Sequence, residues 1–331
     1  MNSVIQKLTM YNRLYKLQAF VRPEYFFWTA MLGLFSLFLF PTGTLPEPAH
    51  LKAAVVVAKE EAKENPYEKL ALEAKAVYVY DVKNKKMLFE KNADEILPLA
   101  SITKVMTALT ALSLVPETTD ITISSESLKA EGDSGLTGGE RWVLRDLLAF
   151  TLIKSSNDGA VAVSSTIGGF LATSTESFDA HRNRFVGEMN RFAVTLGLRS
   201  TSFQSESGLD INAETAGAFS TAKETAKMFA YATQEFPALL GRTKWSELLI
   251  GEEQGEKRKT KNTNTETERL PLLIASKTGY TDLAGGNLVV AFDASFDQPV
   301  VVSVLGSTMS GRFTDVEQLV WATLQYLADS K

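Results

Sequence analysis

Residues 272–307 read "LLIASKTGYTDLAGGNLVVAFDASFDQPVVVSVLGS". Three apolar runs, LLIASKTG, GNLVVAFDA and PVVVSVLGS, are divided by turn-forming Asp, Gly and Pro, which predicts strand, turn, strand, turn, strand. The opposite end of the folded part carries the same signal. "AKAVYVYDVKNKKMLFEKNAD" (74–94) reads as two strands joined at VKNK. Between these ends the pattern changes to helices. One is expected from about Ser101 to Leu114, one in "RWVLRDLLAFTLI", one in "TESFDAHRNRFVGEMNRFAVTLG" and one in "TAGAFSTAKETAKMFAYAT". A last amphipathic helix, "RFTDVEQLVWATLQYLAD", puts Phe313, Val316, Leu319, Val320, Leu324 and Leu327 on one side. The polar stretch 251–270 reads as an exposed strand pair or loop. Strands at both ends and helices in the middle argue for an α+β fold: one antiparallel sheet from the first and last thirds, with packed helices plus a mostly helical lobe. A reactive cleft is expected between the two.

Composition narrows the chemistry. The chain has 331 residues, 45% hydrophobic and 22% charged, in the range of a folded body, and a net charge of -5 that gives no basic footprint for nucleic acid. Cys is missing, which removes cysteine nucleophiles, thiolate zinc sites and disulfides. Of the two histidines, His50 lies in a Pro-rich stretch and His181 on a helix, so a histidine metal cluster cannot be assembled. A Ser-His-Asp triad would rest on His181 alone. No cofactor or metal is expected, and the oligomeric state is unknown.

The N-terminal region reads as separate from the fold. Residues 25–40, "YFFWTAMLGLFSLFLF", carry no charge and follow Lys7, Arg13, Lys16 and Arg22. A cleaved signal peptide, a signal-anchor and a buried core helix all compete for this run. A weak cleavage site and a long basic flank favour the anchor, with residues 1–24 cytoplasmic and the remainder across the cell membrane. Residues 41–73, interrupted by prolines, are expected to be a linker, and 74–331 the catalytic domain.

Three short motifs could share one chemistry. In "LPLASITKVMTAL", Ser101 and Lys104 stand three apart, so a helix puts them on one face. A lysine desolvated among Ile102, Val105 and Leu109 would lose its proton more readily, and the neutral amine could deprotonate the serine. The alternative is a first-turn serine beside a solvated lysine. In "KSSNDG", Ser155 and Asn157 alternate on a turn, so hydroxyl and amide could face one side while Ser156 faces away; a plain helix-to-helix turn explains the stretch as well. In "SKTG", Lys277 and Thr278 end a strand and suit recognition of a carboxylate. Gly279 would let a substrate backbone lie against that strand. A surface lysine before a turn is the other reading.

Taken in order, the three motifs resemble those of penicillin-binding proteins and serine β-lactamases. The segments "LPLASITKVMTAL", "RWVLRDLLAFTLIKSSNDGAVAVS", "FVGEMNRFAVTLGLRSTSF", "SGLD", "KNTN" and "SKTGYTDLAGGNLVV" resemble the D-alanyl-D-alanine carboxypeptidases of low molecular mass, the S11 peptidases. The resemblance implies a serine β-lactamase/transpeptidase-like fold and peptidoglycan stem peptides as substrate, with β-lactams as covalent inhibitors. It implies Ser101 as nucleophile, Lys104 as base and Ser155 as proton relay. Asn157, Lys277, Thr278 and Gly279 would bind substrate, and the backbone N–H groups of Ser101 and Tyr280 would form the oxyanion hole. Two departures stand out. Ser207 occupies a place where the family often has His, and the chain ends soon after the Lys-Thr-Gly strand, so an N-terminal anchor would take over the tethering role of a C-terminal one. The same residues would also serve a D,D-endopeptidase or, with Glu188 directing water, a β-lactamase. An inactive wall-binding module is the remaining alternative.

Overall fold

The computed structural model describes residues 64–173, 176–251 and 257–329. The apolar run 25–40 and the rest of the N-terminal region lie outside the described residues, and the compact unit treated below begins at Glu61.

The chain enters through a 3-10 turn, Pro66–Lys69, and then forms β1 (Ala76–Asp81) and β2 (Lys86–Lys91). A two-residue strand β3 (Leu97–Pro98) and a 3-10 turn (Ala100–Ile102) lead into α1 (Thr103–Leu114). The helical lobe follows, with the pair β4 (Asp120–Thr122) and β5 (Arg141–Val143) beside α2 (Leu144–Lys154), α3 (Asn157–Phe170) and α4 (Phe178–Thr195). Short strands β6 (Ser202–Phe203) and β7 (Ala218–Ser220) join β3 in a small sheet and bring the chain back to α5 (Ala222–Glu235) and a single turn, α6 (Pro237–Leu240). The hairpin β8 (Glu247–Ile250) and β9 (Arg258–Lys261) precedes β10 (Leu273–Thr281), β11 (Gly285–Asp293) and β12 (Pro299–Ser307), and α7 (Gly311–Asp329) closes the unit.

The main sheet runs β10-β11-β12-β1-β2, antiparallel throughout, so the first and last thirds pair as expected, with Val77 opposite Val304 and Val79 opposite Val302. Its central strands β1, β11 and β12 are buried along almost their whole length because both faces are covered, whereas the edge strand β2 is charged and partly exposed. Strand side chains alternate between faces. Val77, Val79, Val290, Val302 and Val304 pack with Val316, Leu319 and Val320 of α7. Ala76, Tyr78, Val289, Ala291, Val301 and Leu305 belong to the larger core that includes Ala222, Ala226 and Phe229 of α5 and the helical lobe. The sequence pattern anticipated only the α7 side.

Three local expectations change. "TAGAFSTAKETAKMFAYAT" is not helical throughout: Ala218–Ser220 is a strand, and Thr221, whose hydroxyl accepts from the Glu224 N–H, starts the helix. A triplet is too short to carry a period, and its pairing with β3 and β6 decides it. The polar stretch after residue 250 contributes one strand, β9, which pairs with β8 just before it, and residues 262–270 then fold inward, burying Asn264, Thr267 and Leu270. Residues 66–73, read as the end of a linker, pack on the domain. Tyr67 is buried, donates to Thr323 Oγ1 at 2.9 Å and stacks on Phe89.

Candidate active site

The turn carrying Ser101 is held from the sheet. Asn287, fully buried on β11, donates through Nδ2 to the Pro98 carbonyl (2.9 Å) and accepts at Oδ1 from the Gly306 N–H (2.8 Å). The Leu99 N–H donates to the Ala218 carbonyl at 3.0 Å. Ala100 then takes a left-handed conformation (φ 49°), unusual for a residue with a side chain and tolerated where surrounding contacts impose it. These ties place Ser101 in the 3-10 turn ahead of α1, near the expected helix start.

Lys104 is fully buried. Its Nζ lies 2.8 Å from Ser101 Oγ, 2.7 Å from Asn157 Oδ1 and 2.8 Å from the Ser207 carbonyl. Asn157 is fixed in orientation because its Nδ2 donates to the Glu131 carbonyl at 2.6 Å. Two of the three Lys104 partners can therefore only accept. A neutral amine has two N–H donors and one lone pair, which fits two obligate acceptors and a hydroxyl able to donate. Burial pushes the Lys104 amine down to about 7, against the opposing influence of the Glu206 carboxylate. Near neutrality both forms of the amine are therefore present, and the unprotonated one can turn its lone pair toward Ser101.

Ser155 caps α2 in the left-handed region (φ 60°), and Asn157 begins α3 two residues later. Ser156 turns the other way, its hydroxyl accepting from the Gly159 N–H and donating to Ser134 Oγ. The expected alternation of the motif is what the helix-to-helix junction produces.

Lys277 and Thr278 lie within β10 rather than at its end, since the strand continues through Tyr280 and Thr281. β10 is an edge strand, as the position of a substrate-binding strand requires. Lys277 Nζ donates to Ser155 Oγ at 2.9 Å and to the Thr278 carbonyl at 2.7 Å. Its ammonium is pushed well below the ordinary lysine range by burial, with the positive charges of Lys104 and Arg312 adding to the effect. Thr278 Oγ1 is 2.6 Å from Thr263 Oγ1. Tyr280 is exposed. Gly279 also has a structural reason that the sequence did not suggest. A Cβ there would sit 2.8 Å from the Leu99 carbonyl oxygen and 3.2 Å from the Ser101 nitrogen. Its bareness lets β10 close against the Ser101 turn, and so brings the Ser101 N–H beside the strand that continues into Tyr280.

The eight expected residues therefore gather around the junction of β10, the Ser101 turn and the α2–α3 corner. Several partners escaped the sequence reading: Asn287, Thr263, Glu206, the Ser207 carbonyl and Arg312. Arg312, buried at the start of α7, donates to the Gly279 carbonyl at 2.7 Å. Of these, Thr263, Ser207 and Asn287 stood inside the quoted segments KNTN, SGLD and SKTGYTDLAGGNLVV, without a role being read for them. His181 lies on α4 against Gly168 and Gly169 of α3, apart from this cluster. Glu188 is ion-paired with Arg191 on α4, and it is not a hydrogen-bond partner of Ser101 or Lys104.

This fold is shared with penicillin-binding proteins and D,D-transpeptidases. Penicillin-binding protein D2 from Listeria monocytogenes in its ampicillin-bound form superposes with a TM-score of 0.64 at 29% identity, over 76% of this chain and 98% of that one. A mutant of the Streptomyces K15 DD-transpeptidase gives 0.67 at 25% identity, over 77% and 99%. The chain belongs to the peptidase S11 family, D-alanyl-D-alanine carboxypeptidase, whose family profile matches residues 59–308. Among its relatives are D-alanyl-D-alanine carboxypeptidase DacC of Escherichia coli, 31% identical over 290 residues, and a D-alanyl-D-alanine endopeptidase of Pseudomonas aeruginosa, 29% identical over 223 residues. The alignments cover 82% and 64% of this chain, and the chain spans 65% and 64% of those relatives' length.

Proposed function

We propose that the protein is a serine-type D,D-carboxypeptidase that removes the terminal D-alanine from peptidoglycan stem pentapeptides and is acylated by β-lactams. The observation that carries this reading is the buried Lys104 amine 2.8 Å from Ser101 Oγ, with two other partners that can only accept.

In this reading neutral Lys104 takes the proton as Ser101 Oγ attacks the carbonyl of the penultimate D-alanine. The oxyanion is held by the backbone N–H groups of Ser101 and Tyr280, donors typically worth about 3 kcal/mol each. Ser155, joined to Lys277, relays a proton to the departing D-alanine amine. Asn157 orients both the acyl chain and Lys104. Lys277 and Thr278 receive the substrate's terminal carboxylate, in a corner made more positive by Arg312. Water then releases the acyl group and restores the Ser101 hydroxyl. A β-lactam offers the same attackable amide carbonyl.

The similarity to a named endopeptidase supports a second reading, cleavage of cross-linked peptides by the same residues. The β-lactamase reading is weaker, because Glu188 is engaged with Arg191. The test is incubation of the purified protein with a pentapeptide, a cross-linked dimer and a penicillin. Release of free D-alanine from the pentapeptide is expected; cleavage of the dimer alone favours the endopeptidase, and rapid penicillin turnover the β-lactamase. We also propose residues 25–40 as a membrane anchor that leaves residues 74–331 on the extracytoplasmic side, where the wall substrate lies. Its support is the uncharged run behind a basic flank.

A further inference from the structure

Glu206 is a buried carboxylate that the mechanism above does not use. Its side chain is 1% exposed and accepts from Arg182 Nε on α4 at 2.9 Å. A charge buried this deeply is costly unless it is paired, so its place beside the active site calls for a reason. The neighbouring chain is stitched to α1 at the level of the base. The Glu206 carbonyl accepts from Thr107 Oγ1 at 2.6 Å, and the next carbonyl, that of Ser207, receives Lys104 Nζ. Gly208 follows with φ 79°, packed so tightly on the Ala100 carbonyl and Thr103 hydroxyl that a Cβ would collide with them. Arg182 therefore anchors one end of a three-residue segment whose other end rests on the nucleophile turn.

We propose that Glu206 is a positioning residue for the acylation of Ser101, acting through Lys104: pinned by Arg182, it fixes the Ser207 carbonyl against the amine and sets a buried negative charge behind it. This rests on the reading of Lys104 as the base. The charges around the amine then form two opposed sets. One is positive, Lys277 of β10 with Arg312 of α7 near it; the other is Glu206, ion-paired with Arg182 of α4. From α3 the amine meets neutral Asn157, while the carboxylate of Asp158 turns to the Ser134 hydroxyl. Without Glu206, Lys104 would lose the carboxylate that offsets its burial and the nearby charge of Lys277. The ammonium form of Lys104 would then be less stable, and the free amine would persist to lower pH.

The test is the second-order rate of fluorescent penicillin attachment from pH 5 to pH 9 in the wild type, Glu206→Gln, Glu206→Asp and Thr107→Val, with circular dichroism melting of each. For Glu206→Gln the acidic limb is expected to move to lower pH by about half a unit or more. Glu206→Asp should return the limb to its wild-type position. Thr107→Val, which keeps the charge and frees the segment, should lower the plateau severalfold with the limb in place. A Glu206→Gln limb superimposed on that of the wild type overturns the proposal. Should that variant fail to fold, a wild-type plateau in Thr107→Val overturns it instead. Failure of the underlying reading looks different: the wild type itself would take up no penicillin, or Ser101→Ala would still take it up.

Discussion

Lys104, the proposed base, is set apart from most other lysines because the fold denies it water. Its neighbours Ile102, Val105 and Met106 are all buried, and its three polar contacts leave no room for solvation. With the amine near 7, the proposed acylation requires its unprotonated form. The rate of β-lactam attachment should therefore rise as pH increases through about 7 and level off above it, as stopped-flow measurement would show; a rate falling over that range would contradict the assignment. Lys104→Met should reduce the plateau by about a hundredfold or more, the usual contribution of a placed base. The motif residues were readable because each pair lies within four positions on one turn or strand. The roles of Asn287, Glu206, Thr263 and Arg312 were not, although Asn287 and Thr263 stood inside segments that carried the family resemblance. Each reaches the site through contacts made by residues distant in sequence, such as the Asn287 bond to Pro98 across 189 positions.

At the scale of elements, the site depends on how closely an edge strand approaches a turn. Gly279→Ala would push a methyl group toward the Leu99 carbonyl and the Ser101 nitrogen. The expected result is a drop of about tenfold or more in acylation rate with little change in melting temperature, because β10 can shift outward as an edge while the oxyanion donors separate. A mispositioning of about 1 Å is enough for a loss of that order. The strands and main helices were legible from periodicity, yet the reach of β10 past Gly279 was not, since Tyr280 and Thr281 look like the start of the TDLAGG turn. That reach is set by pairing: Tyr280 lies opposite Gly286, and Thr281 opposite Gly285. Thr281 Oγ1 also donates to Asp210 at 2.9 Å, joining the strand end to the SGLD segment.

Across the whole molecule, two cores share one sheet, and the entry of the chain is tied to its exit. Asp315 on α7, 1% exposed, accepts from the Glu73 and Ala74 N–H groups and from Ser307 Oγ at 2.7–3.0 Å. Asp315→Asn removes an acceptor from three donors, and should cost about 2 kcal/mol or more of stability. Chemical denaturation would show this, while the folded fraction should still take up penicillin at the wild-type rate. A fragment beginning at residue 74 loses Tyr67 and its stack on Phe89, and should melt below one beginning at residue 61, as scanning calorimetry would reveal. The architecture was legible because strands sit at both ends of the domain. The packed entry segment was not, since Pro66 and the charges around it look like linker until Tyr67 is seen against α7.

The most direct measurement is the intact mass of the protein after incubation with a penicillin, followed by mapping of the modified peptide. One adduct per chain, located on the peptide that contains Ser101 and missing in Ser101→Ala, is the expected result. An adduct that survives in Ser101→Ala, or a folded wild type that remains unmodified at saturating penicillin, would contradict the account.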